Sequence, residues 1–260
     1  MKLVPLAHPP GPRFEAFLAA HAPLSLRVRG ALEESDGAPP VWADDPEAPR
    51  LAVHAGRGWL APLGAAEEVI AHLADLESLS AEGAEENEWL LKLSSVPREI
   101  VDALAARRRL VRQTGCGLYT LQEEEFRPFS VGPPLESLRE EDAPILAAHS
   151  QYEEGEPYWL DRIRRAPSAA VRIGGELAAW MIVHANGSIG MLYTMEKFRN
   201  QKLGRFVASA LAEKQFGRGR AVYCYIVDGN APSERVFLSL GFRRAAEVAW
   251  AVYERDPGGD

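Results

Sequence analysis

Apolar positions along this chain change spacing several times, and each change marks an element. Leu203, Phe206, Val207, Ala210 and Leu211 fall at i, i+3, i+4, i+7 and i+8, which stripes one side of a helix beginning near Leu203. Ala221 to Val227 is an almost unbroken apolar and aromatic run, as a buried central strand requires. Two longer strands, Leu177 to His184 and Ile189 to Met195, are joined by a segment containing Asn186-Gly187, whose residues both accept positive φ and suit a tight hairpin. A strand at Ala169 to Ile173 precedes them and turns at Gly174-Gly175. Helices are predicted at Asp142 to His149, Pro157 to Arg165 and Ala231 to Leu240, the last stopped by Gly241, with a final strand at about Ala246 to Tyr253.

In the first half the pattern predicts helices at Arg13 to His21 and Ala65 to Leu79, and an alternating strand at Ser25 to Arg29. A strand at Glu88 to Leu93, a helix at Pro97 to Leu110 and a strand at Val111 to Leu121 follow. The remainder of this half shows no readable period. Phe126 to Pro134, with three prolines and a glycine, can continue neither a helix nor a central strand, so the domain boundary is placed there. The expectation is a smaller α/β domain at residues 1–130 and a mixed α/β (α+β) domain at 131–260. Strand-helix-strand recurs at Glu88 to Leu121 and Ala221 to Tyr253, which reads either as a degenerate internal copy or as chance recurrence of a common unit.

Composition narrows the class. With 260 residues, 47% hydrophobic and 25% charged, the chain can bury a core. Cys116 and Cys224 form no CxxC or Cys/His spacing, so neither a disulfide framework nor a metal site is indicated, and a reducing cytoplasm suits them. No signal peptide or membrane-spanning run is read. A net charge of -8 argues against nucleic acid as a partner. Local charge departs from this: Lys197 to Arg220 carries seven positive residues against Glu213 alone.

That basic stretch begins where a strand ends and a helix starts, at Lys197-Phe198-Arg199-Asn200-Gln201-Lys202-Leu203-Gly204-Arg205. The first N–H groups of a helix lack internal partners and carry the positive end of its dipole, so a phosphate is favoured there. Gly204 permits close approach, and Arg199, Lys202 and Arg205 can supply charge.

The order of these features resembles the GNAT superfamily of N-acetyltransferases over the whole second half. Leu192-Tyr193 looks like the family's strand-end pair, Phe198-Arg199 its aromatic-Arg dipeptide, and Arg199-Asn200-Gln201-Lys202-Leu203-Gly204 its diphosphate loop. The strand Tyr223 to Val227, Asn230, the helix Ser233 to Leu240 and Gly241-Phe242 follow in the family's order. Leu177-Ala178-Ala179-Trp180, Leu192-Tyr193-Thr194 and Trp159-Leu160-Asp161-Arg162-Ile163 resemble the glycine N-acyltransferase-like branch, and Leu24 to Gly30 is compatible with it.

The resemblance implies a mixed sheet flanked by helices. It implies acetyl-CoA or another acyl-CoA as co-substrate and no metal, with its diphosphate on the amides of Gln201 to Arg205. Its pantetheine arm would lie along Leu192, Tyr193 and Thr194, with Asn230, Ser233 and Phe237 at the far side. A small-molecule amine would attack the thioester directly while a backbone N–H near Tyr193 steadies the developing negative charge. No membrane or nucleic-acid partner is implied, and oligomeric state is left open.

Three positions depart from the family. Lys202 stands where the loop usually has its first glycine; a shifted register, Gln201-x-x-Gly204-x-Phe206, restores the glycine but puts Phe206 at a small-residue position, so the first register is preferred. Phe237 stands where relatives place a proton-donating tyrosine, and Ser188 where the branch places a basic glutamate. His184 could replace that base, since imidazole titrates near pH ~6.5. A three-residue loop, Ala185 to Gly187, pairs His184 with Ser188 on one face; the commoner two-residue turn pairs it with Ile189 and makes it an exposed strand-end residue. Tyr193, Tyr223, Tyr225 and Cys224 read as packing residues, and Glu153, Glu154 and Glu156 as solvated surface that could draw in a cationic amine. A coenzyme A-binding sensor without turnover is the rival reading.

Overall fold

Two stretches of the chain fold to one order of elements. The computed structural model describes residues 2–7, 9–35, 40–56, 58–82, 89–150 and 155–256. The first stretch runs β1 (Val4–Pro5), α1 (Pro12–Ala20), α2 (Leu26–Glu33), β2 (Val41–Ala43), β3 (Leu51–Gly56), β4 (Trp59–Gly64), α3 (Ala66–Ala71), α4 (Leu73–Glu82), β5 (Leu90–Val96), α5 (Arg98–Ala105) and β6 (Leu110–Leu121). The second runs β7 (Leu135–Glu136), α6 (Ala143–His149), α7 (Glu156–Arg165), β8 (Ser168–Ile173), β9 (Glu176–Val183), β10 (Ile189–Thr194), α8 (Leu203–Gly217), β11 (Val222–Val227), α9 (Ala231–Ser239) and β12 (Arg243–Glu254). With α3 and α4 counted as one interrupted helix, the orders coincide.

The chain divides into one unit of Met1–Leu118 with Ala245–Asp260 and another of Tyr119–Arg244. The sequence boundary at residue 130 differs at both ends. β6 carries the chain into the second unit before the proline-rich stretch, and β12 returns it, its residues from Ala249 on pairing antiparallel with β5.

In the first unit β1, β2, β3 and β4 pair antiparallel in sequence order, and β4 then meets β5 in parallel. One face, with Leu51, Val53, Leu91 and Leu93, packs on Val69, Leu76, Ile100 and Leu104 of the helices. The other, with Ala52 and Leu63, packs on Phe14, Leu18, Val28 and Leu32. Sequence patterning failed most in this unit. Ser25 to Arg29, read as a strand, opens α2, where the buried spacing Val28, Ala31, Leu32 is helical. β2, β3 and β4 were not predicted, because residues buried on both faces leave no alternation to read. The helix at Ala65 to Leu79 is broken at His72. Residue 88, the expected start of β5, lies outside the described residues.

In the second unit β7, β8, β9 and β10 form one antiparallel sheet. From Ala179 on, β9 alternates: Met181 and Val183 join the core made with Val207 and Leu211 of α8, whereas Trp180 and Ile182 join Leu146 and Trp159 of α6 and α7. Gly241 ends the helical run at φ 102, as expected. Among the described residues no helix is long and apolar enough to cross a membrane.

The α6 side of this sheet is tied down by a buried ion pair. Asp142, 1% exposed, accepts from Arg172 Nη2 at 2.6 Å and from the Arg139 N–H at 2.7 Å, and this bond holds the Arg172 pKa above its usual value. Asp142→Ala would leave the largely buried Arg172 with only the more exposed Glu136 at 3.3 Å and is expected to cost about 2 kcal/mol in urea unfolding. The double variant Asp142→Leu with Arg172→Met is expected to recover part of that loss.

Candidate active site

The second unit contains a break between two neighbouring strands. β10 pairs with β9, and although β11 lies against β10, no ladder joins them among the described residues. The facing edge of β10 therefore has backbone groups to offer. Its ladder with β9 also shifts register between Gly190 and Tyr193, where Met191 takes φ 53. A bulge of this kind re-aims backbone and side chains locally.

At the end of β10 the chain makes a 3-10 turn over Glu196–Phe198 and enters α8. Asn200 at φ 64 and Lys202 at φ 62 are both left-handed, and Lys202 caps the helix. The first helical bond runs from the Phe206 N–H to the Lys202 C=O at 3.1 Å, so the amides of Leu203, Gly204 and Arg205 are the helix's unpaired opening donors. A Cβ on Gly204 would stand 3.4 Å from Thr194 Oγ1 and 3.8 Å from Leu192 Cδ1, which sets this amino end against the end of β10. Leu203 is buried, while Gln201 and Lys202 are exposed. Arg199 stays near this end: its Nε donates to the Thr194 C=O at 3.3 Å and its guanidinium lies 6.0 Å from the Tyr193 ring centre. Arg205 turns away. Its Nη2 donates to the Ser239 C=O at 3.2 Å and its guanidinium covers Phe129 at 4.7 Å.

The hairpin between β9 and β10 has the three-residue loop, against the two-residue turn favoured by frequency. The His184 N–H donates to the Ser188 C=O at 2.9 Å, the Gly187 N–H donates to the His184 C=O at 2.9 Å, and Gly187 has φ 82. His184 and Ser188 consequently face the same way, towards α7. Tyr158 Oη lies 2.8 Å from His184 Nδ1, and a Cβ at position 190 would collide with His184 Nε2. His184 thus lies across Gly190, at the edge of the bulge. Ser188 is 3% exposed and its Oγ donates to Asn186 Oδ1 at 2.7 Å, which makes it a turn residue. Tyr193 stacks between His149 at 4.5 Å and Trp180 at 4.9 Å. His149, Tyr158 and Gly190 were missed by sequence reading; Tyr158 stands one residue before the singled-out Trp159, but nothing in the pattern links α6 or α7 to the hairpin.

Across the gap, Asn230 caps α9 by accepting from the Ser233 N–H at 3.3 Å. Phe237 is 3% exposed and meets Phe242 edge-on at 5.0 Å, inside the core. Tyr119 Oη donates to Glu234 Oε1 at 2.5 Å, and burial, reinforced by that carboxylate, pushes its pKa up to about 12. Cys224 is buried and its thiol pKa is raised well above the usual value by desolvation. Tyr223 is buried and donates to the Asn186 C=O.

Much of the basic stretch is committed to structure. Lys197 pairs with Glu176, Lys214 Nζ donates to the Ser168 C=O at 2.6 Å with its pKa lowered by burial, and Arg218 donates to Gln215 at 2.8 Å. Glu156 is exposed at the start of α7, and Glu153 and Glu154 lie outside the described residues. In the first unit Asp44, Glu68 and His72 bring ligand atoms within 4.8 Å of one another, but Arg50 already pairs with Asp44 at 3.4 Å and Glu68 at 3.0 Å.

Residues 171–251 match the family model described as FR47-like protein. No curated protein matches the chain. A Drosophila protein solved by X-ray has a similar structure, with TM-score 0.72 and 18% identity over 97% of this chain and 98% of its own. A GCN5-related N-acetyltransferase from Kribbella flavida gives TM-score 0.58 and 16% identity over 91% and 95%. A tandem GNAT protein from the clavulanic acid biosynthesis pathway gives TM-score 0.57 and 15% identity over 100% and 99%. The chain thus has the mixed α/β fold expected of it, a fold shared along its whole length with a tandem GNAT protein, and its residues 171–251 are similar to the FR47-like model.

Proposed function

We propose that the Tyr119–Arg244 unit transfers an acyl group, acetyl in the first instance, from a coenzyme A thioester to a small-molecule amine. The observation that carries this reading is the opening between β10 and β11, with the amino end of α8 set against the end of β10. The residues fit such a co-substrate. The amides of Leu203 to Arg205 supply donors for a diphosphate, and Arg199 and Lys202 supply charge beside them. Leu192, Tyr193 and Thr194 give the arm an unpaired strand edge, and Asn230 and Ser233 stand at the amino end of α9 across the gap. When bound, coenzyme A supplies an acyl carbon activated by a thiolate leaving group.

The chain's own part is orientation and proton transfer. The bulge at Met191 turns backbone N–H groups near Tyr193 out of the ladder, where they can hold the carbonyl oxygen as it gains charge. His184 serves as base. Its Nδ1 lies 2.8 Å from Tyr158 Oη and its ring lies over Gly190 at the bulge, a position from which the imidazole takes the proton of the attacking amine. The amine lone pair forms the C–N bond, the C–S bond breaks, and its electrons leave on sulfur. Ser188 and Phe237 have no part in proton transfer, the first held by Asn186 and the second packed on Phe242. The buried free thiols Cys116 and Cys224 suit a reducing cytoplasm.

The lack of a proton donor at Phe237 favours the rival reading, a coenzyme A-binding sensor. Incubation with acetyl-CoA and a panel of amines, read by free thiol release, separates the two: turnover supports transfer, and stoichiometric binding with no turnover on any amine sinks it. Gly204→Phe would drive a ring towards Thr194 and Leu192 and is expected to weaken coenzyme A binding at least about tenfold by calorimetry; unchanged affinity would remove α8 from the site. His184→Gln is expected to lower kcat by about 10²-fold or more, to abolish the acid limb of the pH profile, and to leave coenzyme A affinity unchanged. Gly190→Ala should reproduce the loss of kcat in milder form by displacing the imidazole.

A further inference from the structure

In the first unit the end of β2 and the helix α3 bring two carboxylates and an imidazole together. Asp44 follows β2 directly, and Glu68 and His72 stand one helical turn apart, the His72 N–H donating to the Glu68 C=O at 3.2 Å. One ligand atom from each of the three lies within 4.8 Å of the other two. Asp44 is 7% and His72 4% exposed, and the Glu68 side chain is 18% exposed.

The two oxygens of Asp44 are treated unequally. Oδ1 accepts from the N–H groups of Arg50 and Leu51, each at 3.0 Å. Oδ2 is buried and has no hydrogen-bond partner among the described residues. A buried charged oxygen without such a partner is costly, and a cation offsets that cost. Arg50 faces it, with Nε 3.4 Å from Oδ2 and Nη1 3.0 Å from Glu68 Oε1, but the Arg50 side chain is 54% exposed. An ion pair made by so exposed a side chain holds little stability, so Arg50 yields its place readily. His72 is also set as a ligating imidazole is. Its Nδ1 lies 3.2 Å from Asp75 Oδ2, and a carboxylate on such a ring fixes its orientation and raises its basicity.

We propose that Asp44, Glu68 and His72 bind one divalent transition-metal ion, Zn²⁺ in the first instance, which takes the place Arg50 holds between the two carboxylates. The donor set decides the class: one imidazole nitrogen with carboxylate oxygens suits Zn²⁺, whereas Mg²⁺ and Ca²⁺ take oxygens alone. Ligand atoms stand ~2.0–2.2 Å from Zn²⁺, so the three side chains close in on the ion by short rotations. Three protein ligands leave a fourth position for water on the side Arg50 vacates. The ion clips the end of β2 to α3. The site does not rest on the transferase reading of the second unit.

The test is a calorimetric titration of the full chain, freed of metal by chelation, with ZnCl₂, alongside thermal unfolding with and without Zn²⁺. Saturable binding of one ion per chain and a higher Tm are expected, with Mg²⁺ at about a hundredfold excess unable to compete. His72→Gln keeps a neutral polar side chain beside Asp75 and is expected to weaken Zn²⁺ at least about tenfold, circular dichroism checking that it folds. Arg50→Met removes the competing cation at an exposed position and is expected to tighten Zn²⁺ about threefold or more. The proposal is overturned if Zn²⁺ does not bind saturably, if Mg²⁺ competes, if His72→Gln keeps the wild-type affinity, or if Arg50→Met fails to tighten binding.

Discussion

The second unit is organised by a backbone constraint: β10 has one hydrogen-bonded neighbour where a strand inside a sheet has two. Its free edge faces β11, and polar backbone groups in such a place need partners. Most proteins cover such an edge or pair it. Here the surrounding structure keeps it open. α8 buries Val207 and Leu211 under one side of the sheet, and α6 and α7 bury Leu146 and Trp159 under the other. The bulge at Met191 adds local twist and turns the edge further from a regular ladder.

The residues that depart from the family's pattern find physical explanations in this frame. Lys202 occupies a left-handed position at φ 62, the conformation that makes glycine the usual occupant, and Asn200 two residues earlier is left-handed as well. The loop keeps its path at the cost of strain, with Lys202 exposed at the helix cap. Ser188 is a turn residue because the hairpin loop has three residues, and the same loop brings His184 onto the face of the bulge. One turn geometry therefore removes one base candidate and supplies another.

The two stretches share an order of elements but treat it differently. In the second, the long α8 follows β10 with no acidic residue in its first turn. In the first, β4 leads to the short α3, whose first turn carries Glu67 and Glu68, so an anion is disfavoured there. Glu68 instead joins Asp44 and His72 in a cluster that suits a cation.

The sequence by itself determined the elements of the second half other than the two-residue β7, because their periods are unambiguous: the apolar stripe from Leu203, the buried run to Val227 and the Asn186-Gly187 turn signal all lie within a few residues of the observed elements. It also placed a helix start just after the loop from Arg199 to Gly204, where α8 begins, which is what makes that loop a candidate anion site. The first half was less legible, because β3 and β4 are buried on both faces and the helix α2 begins on a strand-like alternation. What only the tertiary structure decided were matters of partner and direction. Arg205 turns to Ser239 and away from the loop, Phe237 packs on Phe242, and Tyr158 meets His184 across 26 positions of sequence. Local spacing fixes which residues share a face, whereas the neighbour a side chain meets there depends on how the helices cover the sheet.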